Sequence, residues 1–306
     1  MLIELSPSGV GFDFLVFWGI ARAILQGNSP YSIPGSFYPP ATSYLFTPLA
    51  LVPPEISFIA MTLLSCAAFA TVIKKPADLV WLLFWPVGQV LYSGQTSLLF
   101  VPLIALIASQ DRRVSAIGAA LLTLKPQIAI IILPWYVVRW VIDDRRRLAY
   151  FISASCAVHL WPLLIRPGIF IEWFNTMGLG ISHKAIISSG IWLFKGYLPT
   201  LVLVVLSLAL STFILLKDRQ QSQAALALAS PVTGLQDTVM LIKTAPAWLM
   251  VPVSLIALAW SRIAVSTLPG VLIAAAAFIY RFSESNMKEG GFLRSIIDQN
   301  RWSKSP

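Results

Sequence analysis

The 306-residue chain is dominated by apolar residues: 57% are hydrophobic, only 11% are charged, and the mean hydropathy is +0.78. A soluble domain carries about 25% charged residues, because a surface that faces water needs them. The composition therefore argues against a soluble protein and predicts that lipid or other apolar helices surround most side chains. Since about 20 apolar residues span a hydrocarbon core, the length allows roughly eight to ten crossings.

The net charge of +9 comes largely from short basic clusters between apolar stretches. These clusters are Lys74–Lys75, Arg112–Arg113, Arg145–Arg147 and Lys217–Arg219. Cytoplasmic loops of membrane proteins carry such an excess, so we expect the clusters on the cytoplasmic side and no nucleic-acid partner. The chain has two cysteines and two histidines, and both cysteines lie in apolar runs. This pattern predicts no metal site, and we expect no cofactor.

The N-terminal region predicts elements at the membrane surface. Asp13–Leu25 is apolar and aromatic but short, which is typical of a helix lying on the membrane. Pro34–Pro54 is expected to be irregular, because Pro-Pro cannot continue a helix. The first clear span is Glu55–Ile73, which ends at Lys74–Lys75. If those lysines are cytoplasmic, Asp13 lies on the outer face.

Two pairs of short apolar helices follow: Leu79–Leu91 with Ser97–Ala108, and Val114–Leu124 with Ile128–Val138. The helices of the first pair have about 13 residues each and are near 20 Å long, which is shorter than the roughly 30 Å core, and the second pair repeats this arrangement. The polar segments that join the pairs are Gly94–Gln95 and Lys125–Pro126–Gln127. Because basic clusters flank both pairs at their other ends, we expect these apices to point away from the cytoplasm.

The rest of the chain predicts further crossings. Expected spans are Leu148–Ile165, Leu198–Leu216, Val239–Trp260 and Val265–Tyr280. Together the pattern predicts an all-α single membrane domain over residues 1–306. Its parts are an outer-face juxtamembrane region (1–54), a transmembrane bundle (55–280) with an outer loop (166–196), and a polar tail (281–306).

One carboxylate stands out among the 13 acidic residues. Of the acids on the expected outer face, only Asp13 lies in a strongly apolar, aromatic context. Desolvation there raises the pKa of a carboxyl group, which suits it to proton abstraction. The alternative is a helix N-cap, in which the side chain accepts hydrogen bonds from free backbone N–H groups.

Other polar residues allow a functional and a structural interpretation. Lys125 lies between two apolar runs and could contact a lipid phosphate or extend to the headgroups, and the same choice holds for Arg22. Gln95 could serve as a hydrogen bonder at a helix end. His159 is expected to pack inside a helix, and His183, next to Lys184, to lie in a solvated loop.

Several short segments, taken together and in their order along the chain, resemble the motifs of a known family. They are Asp13–Trp18, Phe37–Pro40, Leu45–Leu49, Gly94–Gln95 and Gly118–Gln127, with a weaker late match at Ser230–Pro231 and Asp237. This ordered set resembles the polyprenyl-phosphate-mannose-dependent glycosyltransferases of family 87, in the GT-C superfamily. Such enzymes have a transmembrane helix before the Asp-Phe motif. Only Met1–Phe12 precedes the motif here, so either the start of the chain is assigned too late or the chain lacks this helix.

The resemblance implies a multi-pass enzyme of the cell membrane with a GT-C helical bundle and amphipathic juxtamembrane helices on its outer face. Such enzymes transfer a sugar, here mannose, from a polyprenyl-phosphate carrier to a lipid or glycan acceptor on the extracytoplasmic side. Their general base is an acidic residue in the first outer loop, and Asp13 matches that position. The expected substrate-binding residues are Arg22, Tyr38, Gln95, Lys125, Gln127, His159 and His183, and no metal is implied. A transporter or flippase of a lipid-linked substrate and a truncated, non-catalytic relative remain as alternatives.

Overall fold

A computed structural model describes residues 5–6, 9–184, 219–229, 235–261 and 270–285, without the side chains of 177–184, 221, 260 and 261. The regular elements in these ranges are all helical, which confirms the predicted all-α class. The α-helices are α1 Phe12–Leu25, α2 Pro40–Leu45, α3 Pro54–Ala70, α4 Trp85–Ser93, α5 Val101–Ile107, α6 Arg112–Leu122, α7 Pro126–Asp143, α8 Arg145–Leu160, α9 Pro162–Ile165, α10 Ile169–Lys184, α11 Arg219–Ala229, α12 Ala247–Ser261 and α13 at 270–285. Short 3₁₀ helices are Pro30–Ser32, Thr47–Leu51, Pro76–Leu83, Ser97–Phe100 and Leu235–Leu241.

Within the described ranges, two helices are long and apolar enough to cross a membrane: α7 and the stretch Arg145–Ile165. The pair Trp85–Ser93 and Ser97–Ile107, bent by 117°, makes a third if it is one span. This bend confirms the predicted break at Gly94–Gln95. Only 6% of the apolar part of Arg145–Ile165 is buried within the protein. Exposed apolar surface on this scale is typical of a protein or membrane interface.

Two predictions about individual segments meet a different outcome. Pro34–Pro54 is not irregular throughout, because α2 and the 3₁₀ helix Thr47–Leu51 form within it. Pro40 begins α2, where the missing N–H of proline is not needed by the helix. The expected outer loop 166–196 contains α10, and Trp173 of this helix donates a hydrogen bond from Nε1 to the Phe37 carbonyl over 3.1 Å. The predicted span Leu198–Leu216 lies outside the described residues.

Helix α1 packs through one aromatic face. Phe14, Phe17 and Ile20 recur at helical spacing, and all three are buried. The Phe17 ring stacks on Phe46 at a centroid distance of 4.6 Å, and the Phe14 ring meets Phe58 of α3 edge-on at 5.4 Å. Such pairs contribute about 0.5–1.5 kcal/mol each beyond the area they bury. This small core fixes α1 against the beginning of α3.

Helices α6 and α7 form a hairpin that separates two polar regions. Lys125 lies at the apex between them, as the sequence predicts. At the far end, Arg112 Nε of α6 lies 2.8 Å from Asp144 Oδ2, just beyond the end of α7. The 18 residues of α7 rise by about 27 Å. Lys125 and the arginine cluster therefore lie at opposite ends of a helix of membrane-spanning length.

Candidate active site

Two glycines hold the start of α1 against the end of α4. Gly11 is the N-cap of α1, with φ +74°, and its N–H donates to the Tyr92 carbonyl over 2.9 Å. Gly94, the C-cap of α4, has φ +72°, and a Cβ there would lie 2.5 Å from Phe14 Cβ. Only glycine permits this approach. The N-cap interpretation of Asp13 is wrong, because this residue lies inside the first turn of α1.

The environment of Asp13 favours its protonated form. Burial raises the pKa of the Asp13 carboxyl, and the negative charge of Asp237 adds to that effect. The nearby Gln95 amide and the positive charge of Lys125 act in the opposite direction, but they are the smaller influences. A carboxylate with a raised pKa is a better proton acceptor than an ordinary aspartate. Asp13 is only half-buried, so it sits where the protein interior meets its surface.

Behind Asp13 lies a buried polar network centred on Lys125. Its Nζ lies 3.1 Å from Asp237 Oδ1, 2.6 Å from Ser97 Oγ and 3.1 Å from Gln95 Oε1. Ser97 donates to Asp237 Oδ1 over 3.0 Å, and Tyr38 donates to Gln95 Oε1 over 3.2 Å. The side chains of Lys125 and Asp237 are 1% and 2% exposed. The snorkelling interpretation of Lys125 is therefore wrong.

The local sequence explains how Lys125 reaches this position. It precedes Pro126, which begins α7, and a residue before proline avoids the helical conformation. Accordingly, Lys125 has φ −120° and ψ 87°, and the chain turns between the two helices. Thr42 of α2 donates from Oγ1 to the Leu124 carbonyl over 2.6 Å. This bond joins the turn to the segment that carries Tyr38.

The other expected site residues lie outside this network. Arg22 is exposed in the last turn of α1. Gln127 is half-buried in the first turn of α7, and its Oε1 has no hydrogen-bond partner among the described residues. His159 lies in α8, where its Nε2 is 2.7 Å from Thr123 Oγ1, consistent with a packed histidine. His183 is on α10, and its side chain is outside the described part of the structure.

Sequence reasoning left two members of the network out of the expected site. Asp237 lies on the 3₁₀ helix Leu235–Leu241 and is buried, as is Ser97. In the sequence Asp237 is one of the acids on the expected outer face, and it also belongs to the weaker late match of the resemblance. A buried cation such as Lys125 requires a counter-charge, and this requirement is the signal that could have paired the two. Ser97 gives no comparable signal, since a lone serine fits any helix end.

Comparison with known proteins supports the resemblance. The model of glycosyltransferase family 87 matches residues 37–242, which is two thirds of the chain. The match includes the network residues Tyr38, Gln95, Ser97, Lys125 and Asp237, whereas Asp13 precedes it. No curated protein and no solved structure gives a significant match. The chain therefore belongs to glycosyltransferase family 87, and glycosyl transfer is the activity that this membership implies.

Proposed function

We propose that this chain is a multi-pass membrane glycosyltransferase with Asp13 as its general base. Its donor is a sugar, mannose by resemblance to the family, on a polyprenyl-phosphate carrier, and its acceptor is a lipid or glycan hydroxyl. The observation that carries the proposal is the half-buried Asp13 carboxyl, with its raised pKa, beside a buried ionic network that lies within the family match. Perturbed carboxylates of this kind are typical of functional sites.

The membrane part of the proposal follows from the two ends of α7. Five arginines, Arg112, Arg113 and Arg145–Arg147, lie at or near the end of α7 that is distant from Lys125. Basic residues accumulate on the cytoplasmic side of membrane proteins. This orientation puts Lys125, and with it Asp13, on the extracytoplasmic side. Lipid would cover the exposed apolar surface of α8.

The proposed reaction needs one base. Asp13 accepts the proton of the acceptor hydroxyl while the hydroxyl oxygen attacks the anomeric carbon of the donor sugar. The bond between that carbon and the phosphate oxygen breaks, and the carrier leaves as its phosphate. Attack opposite the leaving group inverts the anomeric configuration. A base with a raised pKa accepts the proton late in the reaction more readily than an ordinary aspartate.

Lys125 has a different role in this proposal from the one the sequence suggests. An ammonium group has three N–H donors, and Lys125 already faces three acceptors. It has no donor left for a carrier phosphate. We propose that Lys125 is a positioning residue, which holds the Gln95 amide where it can act on Asp13.

A transfer assay tests the proposal. Purified protein in lipid nanodiscs is given polyprenyl-phosphate sugars, labelled in the sugar, and a crude extract of lipids and glycans. The expected result is label in a new product, with loss of label from the carrier. If a folded protein moves no label from any carrier, the activity is not this one. Movement of intact carrier across the bilayer without sugar transfer would instead indicate a flippase.

A further inference from the structure

The end of the α6–α7 hairpin opposite Lys125 forms a polar surface cleft of about 550 Å³. Its lining residues are Gln110, Asp111, Arg112, Arg113, Asp144, Arg147 and Tyr150. The cleft lies where α7 ends and α8 begins, next to the first turn of α6. None of the proposed catalytic residues belongs to it.

Both acids of the cleft already have partners. Asp111 Oδ1 accepts hydrogen bonds from the backbone N–H groups of Arg113 and Val114, over 2.7 and 3.0 Å, and so caps α6. Asp144 binds Arg112 Nε at 2.8 Å and accepts from the Arg147 N–H over 3.2 Å, which caps α8. The two carboxylates are therefore held by helix ends and, for Asp144, by the side chains of Arg112 and Arg147.

The guanidinium groups of Arg113 and Arg147 still have N–H donors that can bind a ligand. Arg113 makes no salt bridge with any described residue, and its guanidinium lies 5.7 Å from the ring centre of Tyr150. Arg147 donates from Nη2 to the Gln110 carbonyl over 3.1 Å. Its Nε is buried and lies 3.5 Å from Asp144 Oδ2, so its remaining binding capacity is at the two Nη groups. Planar guanidinium donors of this kind match phosphate oxygens.

Exposed apolar residues lie beside the cleft, together with the charged residues Asp143, Arg145 and Arg146. Val114 and Ile142 are exposed next to it in sequence, and Tyr150 is exposed at its edge. If α7 and α8 cross the membrane as proposed, the cleft lies at the level of the lipid headgroups. Basic pockets between transmembrane helices on the cytoplasmic side bind anionic lipid headgroups. We infer that this cleft binds the phosphate of an anionic glycerophospholipid, with the acyl chains along Val114 and Ile142.

Lipid binding to the full-length protein tests the inference. The protein is delipidated in detergent, and its binding of phosphatidylglycerol and phosphatidylcholine with identical acyl chains is measured by native mass spectrometry. We expect tighter binding of phosphatidylglycerol. The double variant Arg113→Gln/Arg147→Gln should lose this preference by about tenfold or more, because each arginine near a membrane surface contributes about 1 kcal/mol.

The matched control removes two charges from another basic cluster. Lys74→Gln/Lys75→Gln changes exposed residues that do not line the cleft, and it should keep the preference. Arg113→Gln alone disturbs no described salt bridge and should still weaken the preference for phosphatidylglycerol. This single variant therefore tests the inference even if the double variant misfolds. An equal loss in both double variants would mean unspecific charge attraction and overturn the inference. Equally tight binding of glycerol 3-phosphate would overturn it in favour of a soluble ligand. Neither result depends on sugar transfer.

Discussion

Replacing Lys125 by methionine removes the positive charge of the buried network and keeps most of the side-chain length. Lys125 Nζ lies 3.1 Å from Asp237 Oδ1, and at an effective dielectric constant of about 20 two unit charges at that distance attract by about 5 kcal/mol. The variant leaves the Asp237 carboxylate buried, with Ser97 as its hydrogen-bond donor. Breaking a buried pair in this way costs about 3–5 kcal/mol, so we expect Lys125→Met to lower the free energy of unfolding by that amount.

The assay is equilibrium unfolding in mixed micelles, followed by circular dichroism, for a double-mutant cycle. It compares wild type, Lys125→Met, Asp237→Asn and the double variant. Because the double variant removes both charges of the pair, we expect its loss to be smaller than the two single losses together, by about 2–3 kcal/mol. Lys243→Met is the matched control: this lysine pairs with Asp78 at 2.8 Å, but its side chain is 37% exposed. Lys243→Met should lower the free energy of unfolding by less than Lys125→Met does.

Two results would refute this reasoning. If the losses in the cycle simply add, Lys125 and Asp237 do not depend on each other for stability. If Lys125→Met costs no more than Lys243→Met, burial of the pair does not decide its contribution. Either result would also remove the argument that Lys125 positions the residues around Asp13.

Two further predictions concern the start of α1. Gly94→Ala should destabilise the protein strongly and abolish transfer, since its Cβ would lie 2.5 Å from Phe14 Cβ. Gly27→Ala, also at positive φ but with nothing within 4 Å, should cost only about 1–2 kcal/mol, and thermal melts compare the two. Asp13→Asn should make the protein more stable than wild type at neutral pH. A carboxyl whose folded pKa is raised binds more protons in the folded state, so wild-type stability falls as the pH rises through that raised pKa. The difference should shrink as the pH falls to the ordinary aspartate pKa of about 3.9, and it would be absent at every pH if burial did not affect this carboxyl.

The sequence predicts much of the framework of the site. Basic clusters at the far ends of two helix pairs place Gln95 and Lys125 on one side, and the structure brings both into contact. The apolar context of Asp13 predicts a raised pKa, and the structure gives that direction. Both inferences rest on the composition of short local segments, which can be read directly from the sequence.

What the sequence does not reveal depends on contacts between distant segments. The pairing of Asp237 with Lys125 requires the 3₁₀ helix Leu235–Leu241 to pack against the α6–α7 turn, and no local pattern records that packing. The close approach of Gly94 to Phe14 is of the same kind. Helix α10 lies within the predicted outer loop 166–196, and its contact with the distant Phe37 carbonyl through Trp173 is likewise not visible in the local sequence.

The central claim, that Asp13 is the base for glycosyl transfer, is tested most directly by single-turnover rates with the labelled carrier that the transfer assay identifies. Wild type is compared with Asp13→Asn and with Glu55→Gln. Glu55 is the matched control, because it also lies in the first turn of a helix and is half-buried. We expect Asp13→Asn to lower the single-turnover rate by about 10²–10⁴-fold, which is the usual contribution of a general base. Glu55→Gln should leave the rate unchanged. A wild-type rate with Asp13→Asn would contradict the mechanism.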